Sequence, residues 1–173
     1  MHRHLSCSNG GSWHQRFDVV SYPGHLVFSG DMGSFIFRRE TDMFAWFHSA
    51  TIERLSADYV GQKVQAGQGK EFSPGVFRDL VNTIRDDWAE CGYDDQYPEE
   101  FAEAFDEDGY AHITFKEEAH EFLRGLSVGP HEKTEWYEYN LDGYSFQFIW
   151  ALRAMRWAIS TYYEMREPLG VAE

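Results

Sequence analysis

The spacing of apolar positions changes near residue 40 of this chain. Before that point three short segments, Phe17–Tyr22, His25–Ser29 and Ser34–Arg38, are rich in β-branched and aromatic residues. Pro23-Gly24 and Gly30-Asp31-Met32-Gly33 separate them, and both are turn sequences. The pattern predicts a three-stranded antiparallel meander. Apolar residues occupy both of its faces, so helices should cover at least one.

From Asp42 onward the pattern is helical. Met43, Phe44 and Phe47 share one face, and a second short helix is expected from Ala57 to Gln65, before a Gly67-Gln68-Gly69 loop. Ser73 followed by Pro74 has the form of an N-cap with proline at the first helical position. Phe77, Leu80, Val81, Ile84 and Trp88 then hold three–four spacing as far as Cys91-Gly92-Tyr93. Pro98 opens a short helix with Phe101 and Phe105 inward and Glu99, Glu100 and Glu103 outward. Thr114-Phe115-Lys116-Glu117 is a capping-box pattern, with Phe115, Ala119, Phe122 and Leu126 as the buried stripe behind it. Trp136 to Leu141 suits a strand.

Phe148, Leu152, Met155, Ile159 and Tyr162 recur at helical spacing, with Phe146, Trp150 and Trp157 as a second stripe. So broad an apolar face predicts a long, central C-terminal helix. A hairpin using Tyr144 to Phe148 is the alternative. The expected fold is therefore α+β: a small N-terminal antiparallel meander packed against several helices, with a long apolar C-terminal helix. Residues 1–173 are expected to form a single domain.

Composition supports an ordered core, since 43% of the 173 residues are apolar and 17% aromatic. Charge changes the picture more. Between Asp86 and Asp108 there are eleven carboxylates and no lysine or arginine: Asp86, Asp87, Glu90, Asp94, Asp95, Glu99, Glu100, Glu103, Asp106, Glu107 and Asp108. Extended to Glu138, the stretch holds seventeen acids against Lys116, Arg124 and Lys133, which equals the chain's whole net charge of −14. That balance disfavours unassisted binding to nucleic acid or to anionic membranes, and makes a basic protein surface the natural complement. Cys7 and Cys91 define no disulfide framework. The apolar run from Tyr144 to Tyr163 is broken by Arg153 and Arg156, which counts against a membrane span. The N-terminus lacks the apolar run of a signal peptide. Cytoplasmic placement follows as an expectation.

No P-loop, dinucleotide fingerprint or nucleophile elbow is present. Glu117-x-x-His120 is half of a di-iron motif whose other parts are missing, and His2-x-His4 lies at an end expected to fray. Asp106-Glu107-Asp108-Gly109 fails as a calcium loop, because the ligand positions around its glycine fall on Ala104 and Phe115. No cofactor or metal is therefore expected. Gly30-Asp31-Met32-Gly33 suits a tight turn, with a small enzyme site near Asp31 and His25 as the alternative.

Tyr22-Pro23-Gly24-His25-Leu26-Val27-Phe28-Ser29-Gly30-Asp31-Met32-Gly33-Ser34-Phe35-Ile36-Phe37, followed by Asp42-Met43-Phe44, resembles a family of uncharacterised bacteriophage and prophage proteins. That family carries a P-G-x-L-x-x-x-G-D-M-G block. The aromatic segment from Trp136 to Trp157 is similar to the family's end. The resemblance covers both ends of the chain and little of the acidic middle, and it transfers no catalytic residue. It implies a phage-encoded, non-enzymatic protein active in the host cytoplasm. With the acidic run, that points to an inhibitor of a host defence complex of the anti-CRISPR type. Its eleven carboxylates would imitate DNA on a basic binding surface. The alternative is an interaction protein whose acidity serves solubility alone.

Overall fold

The computed structural model describes residues 2–49 and 56–166. They gather into two compact units: Met1–Lys70 with Tyr144–Glu173, and Glu71–Gly143. The second unit is thus an insertion between two parts of the first.

The first unit is built on a five-stranded antiparallel sheet in sequence order: β1 (Arg3–Cys7), β2 (Phe17–Tyr22), β3 (His25–Gly30), β4 (Gly33–Arg38) and β5 (Val64–Ala66). Register puts Val19 opposite Phe28, Leu26 opposite Phe37, and Phe28 opposite Phe35. These residues are buried, while their alternate neighbours are half-buried or exposed. One sheet surface is therefore the core side. The helices α1 (Met43–Ser49), α2 (Ala57–Gly61) and α8 (Phe146–Glu164) share that core. On α8, Phe148 meets Phe35 edge-on at 5.2 Å and Trp150 meets Phe17 at 5.6 Å. Ser145 caps α8 by accepting the Phe148 N–H at 3.1 Å.

Several expectations need correcting here. The sheet has five strands where the pattern gives three, because β1 and β5 are too short and too polar to show alternation. The stretch from Ala57 to Gln65 is helical only to Gly61, and its end turns into β5. Residues 146–164 are helical, so Tyr144 to Phe148 is not a hairpin strand. Phe146 and Trp157 are exposed. Residues 50–55 and 167–173 lie outside the described residues.

The second unit contains α3 (Pro74–Glu90), α4 (Tyr93–Gln96), α5 (Pro98–Ala104), α6 (Glu107–Tyr110) and α7 (Lys116–Gly125). A tight hairpin follows, β7 (Ser127–Val128) and β8 (His131–Glu132), then a 3₁₀ turn at Trp136–Glu138. Ser73 accepts the Val76 N–H at 3.3 Å and Pro74 opens α3, as the sequence leads one to expect. Phe77, Val81 and Ile84 of α3 pack with Phe105, Tyr110 and Leu123 in the core. β6 (Lys70–Phe72) and β9 (Asp142–Tyr144) pair as a separate two-stranded ladder.

The capping box at Thr114 does not form. α7 begins at Lys116 with Phe115 in the N-cap position and no side-chain cap, and Phe115 is 64% exposed instead of buried. Trp136 to Leu141 is not a strand: its first three residues form the 3₁₀ turn, and extended pairing begins only at Asp142, in β9. Among the described residues no helix is long and apolar enough to cross a membrane.

Candidate functional site

The eleven carboxylates are carried by four successive helices of the second unit. Asp86, Asp87 and Glu90 occupy the last turns of α3, and Asp94 and Asp95 lie on α4. Glu99, Glu100 and Glu103 lie on α5, Asp106 caps α6, and Glu107 and Asp108 form its first turn. All eleven are exposed. Among the described residues only Asp86 has a basic partner within 4 Å, Arg85 at 3.0 Å.

Local sequence holds these short helices in order. Gly92, with φ +79°, makes the left-handed step between α3 and α4. The interleaved rings then anchor them. Trp88 meets Phe105 edge-on at 5.7 Å, Phe101 lies 4.9 Å from Phe105, and Tyr93 stacks on His131 of β8 at 3.9 Å. Each acidic helix is thus pinned by an aromatic residue from within its own segment, and its carboxylates are left to solvent. The second unit as a whole holds 20 acids and five bases, a balance of −15, while the first unit holds nine and ten.

Between α5 and α7 lies an open groove of about 600 Å³. Glu100, Glu103 and Glu121 stand around it, and Ala104, Phe122 and Leu126 supply apolar lining. Glu121 is partnered by Arg124 at 3.5 Å. Such a groove has room for the stem of a long cationic side chain beside its carboxylates.

The other candidates resolve into local roles. Asp31 sits in the two-residue turn between β3 and β4 and accepts the Gln15 N–H at 3.1 Å. That bond steadies Gln15, whose φ is +58°. His25 stacks on Tyr22 at 4.6 Å at the other end of β3, roughly 20 Å from Asp31 along an extended strand. The structure does not bring the pair together. His4 is not at a frayed end: it lies in β1 and bonds Asp18 at 2.9 Å, which lowers the Asp18 carboxyl below its ordinary range. His120 lies 5.6 Å from the Trp136 ring, and Glu117 is exposed. Asp106 accepts the Asp108 N–H at 3.3 Å, a capping role. Among the described residues no three His, Cys, Asp or Glu side chains gather where a metal ion could sit.

Sequence periodicity gives no warning of a second concavity, in the first unit. It is an open groove of about 900 Å³ between β1 and α8. Its walls include Trp157, which the helical stripe assigns to the core. Spacing alone cannot tell a stripe that meets the sheet from one that overhangs its edge.

No family model matches the chain, and comparison with curated proteins and with solved structures returned no match.

Proposed function

We propose that the second unit presents a carboxylate surface that docks on a basic, nucleic-acid-binding surface of a partner protein and occupies it in place of DNA. Taken with the resemblance of both chain ends to phage and prophage proteins, the reading is a phage-encoded inhibitor of a host defence nucleoprotein complex, of the anti-CRISPR type. It acts without catalysis, in the host cytoplasm. The observation that carries it is that eleven carboxylates of one sign stand exposed on ordered helices, and only one has a basic partner among the described residues.

Their placement supports the same reading. Asp86, Asp87 and Glu90 sit at the negative end of α3, where acids cost about 0.3–1 kcal/mol each at low ionic strength. Local helix stability does not explain them. Neighbouring carboxylates on a helix surface lie about 5–6 Å apart, a spacing near that of successive phosphates on one strand. The groove beside Glu100 and Glu103 would receive an arginine or lysine of the partner. Binding of this kind is fast and falls steeply with salt.

The test is affinity capture from a bacterial lysate at low and high NaCl, followed by competition with duplex DNA. The captured protein should be a basic nucleic-acid binder released by both salt and DNA. Replacing Asp94, Asp95, Glu99 and Glu100 by lysine should leave circular dichroism unchanged and weaken capture by 10-fold or more, on the order of 1.4 kcal/mol. Undiminished, salt-resistant capture by that variant would sink the proposal. It would favour the reading in which acidity serves only solubility and an exposed aromatic such as Trp13, 77% accessible, makes the contact.

A further inference from the structure

We propose that the outer edge of β1, which pairs with no strand among the described residues, and the adjoining stripe of α8 form a two-fold contact between two copies of this chain. β1 is the terminal strand in the sheet order, and its five residues pair in unbroken register with β2 on one side. Natural edge strands are usually guarded by proline, lysine, a bulge or a covering element. Arg3–Cys7 contains no proline, lysine or bulge, and its one arginine is spent on Asp42. Beside this edge runs the 900 Å³ groove, walled by Leu5 and Cys7 on β1 and by Trp150, Ala154, Trp157 and Ala158 on α8. Trp157 is 60% exposed in the middle of a 19-residue helix. An exposed indole beside an unpaired strand is the anatomy of an interface centre.

The occupant follows from self-complementarity. An edge strand paired antiparallel with its own copy continues the sheet across the axis, and the same axis runs the two α8 helices antiparallel. On α8, the half-buried Ala154 leaves a notch and the exposed Trp157 is a knob beside it, so each helix offers what the other lacks. Arg153 and Glu164 lie eleven residues apart, three turns along one helix face. Antiparallel pairing about the level of Ala158 sets Arg153 of one copy against Glu164 of the other. Within the chain, Arg153 has no acid within 4 Å among the described residues. A strand from an unrelated protein would satisfy the edge but leave both the notch and this charge match without a purpose.

Sedimentation equilibrium between about 1 and 100 µM protein should give twice the chain mass of 20.2 kDa. Trp157→Glu should raise the dissociation constant roughly 30-fold or more, with unchanged circular dichroism. Arg153→Glu should weaken the dimer by about 5–10-fold, and adding Glu164→Arg should restore it. Because both of those side chains are exposed, the swap tests the contact even if Trp157→Glu disturbs folding. A wild-type chain that stays monomeric at the highest concentration overturns the proposal and leaves the groove to a heterologous strand. So does a dimer indifferent to Trp157→Glu, or a double variant that stays weak.

Discussion

Arg3 and Asp42, 39 residues apart, make a two-pronged contact at 2.5 and 2.8 Å that ties β1 to the start of α1. The Arg3 guanidinium also lies over the Phe44 ring at 5.2 Å, and Asp42 accepts the Ala45 N–H at 3.1 Å. The hydrogen bond from Arg3, above all, brings the Asp42 carboxyl down to about 2 from an ordinary 3.8. A depressed carboxylate stabilises the fold fully above its unfolded value and loses that contribution as pH falls through its folded one. The window is therefore about pH 4 down to pH 2. The Asp42 side chain is 38% exposed, so solvent screening limits the contribution to about 1 kcal/mol. Asp42→Asn keeps an N-cap of similar quality and removes the charge. It should cost about 1 kcal/mol at pH 7 in urea titration and flatten the acid-side loss of stability. An acid limb as steep as the wild type's would show that other carboxylates govern it.

Gly129 lies at the turn between β7 and β8 with φ +55°, and a Cβ there would come within 2.7 Å of the Tyr97 ring. Tyr97 is the joint between α4 and α5, so this turn supports the acidic helices from beneath. Gly129→Ala should destabilise the second unit by about 1–2 kcal/mol, and partner capture should fall only as far as the folded fraction does. Capture lost at full folding would mean that Gly129 touches the partner itself. Such short supports explain what could be read in the chain and what could not. α3 shows in the sequence because five apolar residues keep one period across its 17 residues. β1, β5, β7, α4 and α6, of two to five residues each, hold too few positions for any period to register. Exposure of the carboxylates was legible because aromatic anchors alternate with them. Exposure of Phe115 and Trp157 was not, since that depends on which neighbour a stripe meets, and spacing is silent about it.

Across the whole chain, charge and structure divide at the same places. The inserted unit carries −15, and the unit that encloses it in sequence carries +1. Like charges on a compact body oppose its folding, and salt relieves them, since the screening length is about 10 Å at 0.1 M and about 3 Å at 1 M. If residues 1–173 behave as the single domain expected from length and core, this repulsion is shared by the whole fold. Calorimetry at fixed protein concentration should then show one transition with equal calorimetric and van't Hoff enthalpies. Its midpoint should rise by roughly 3–6 °C between low and high salt, equivalent to about 1–2 kcal/mol for a chain of this size. Two transitions, with only one responding to salt, would make the acidic insertion an independent domain. The four-lysine variant separates this effect from any other influence of salt. It reduces the net charge from −14 to about −6, two units for each reversal, and so weakens self-repulsion. Its salt response should fall by about half or more while its midpoint at low salt rises. A variant no more stable than the wild type at low salt would show that the acidic surface imposes no net strain on the fold.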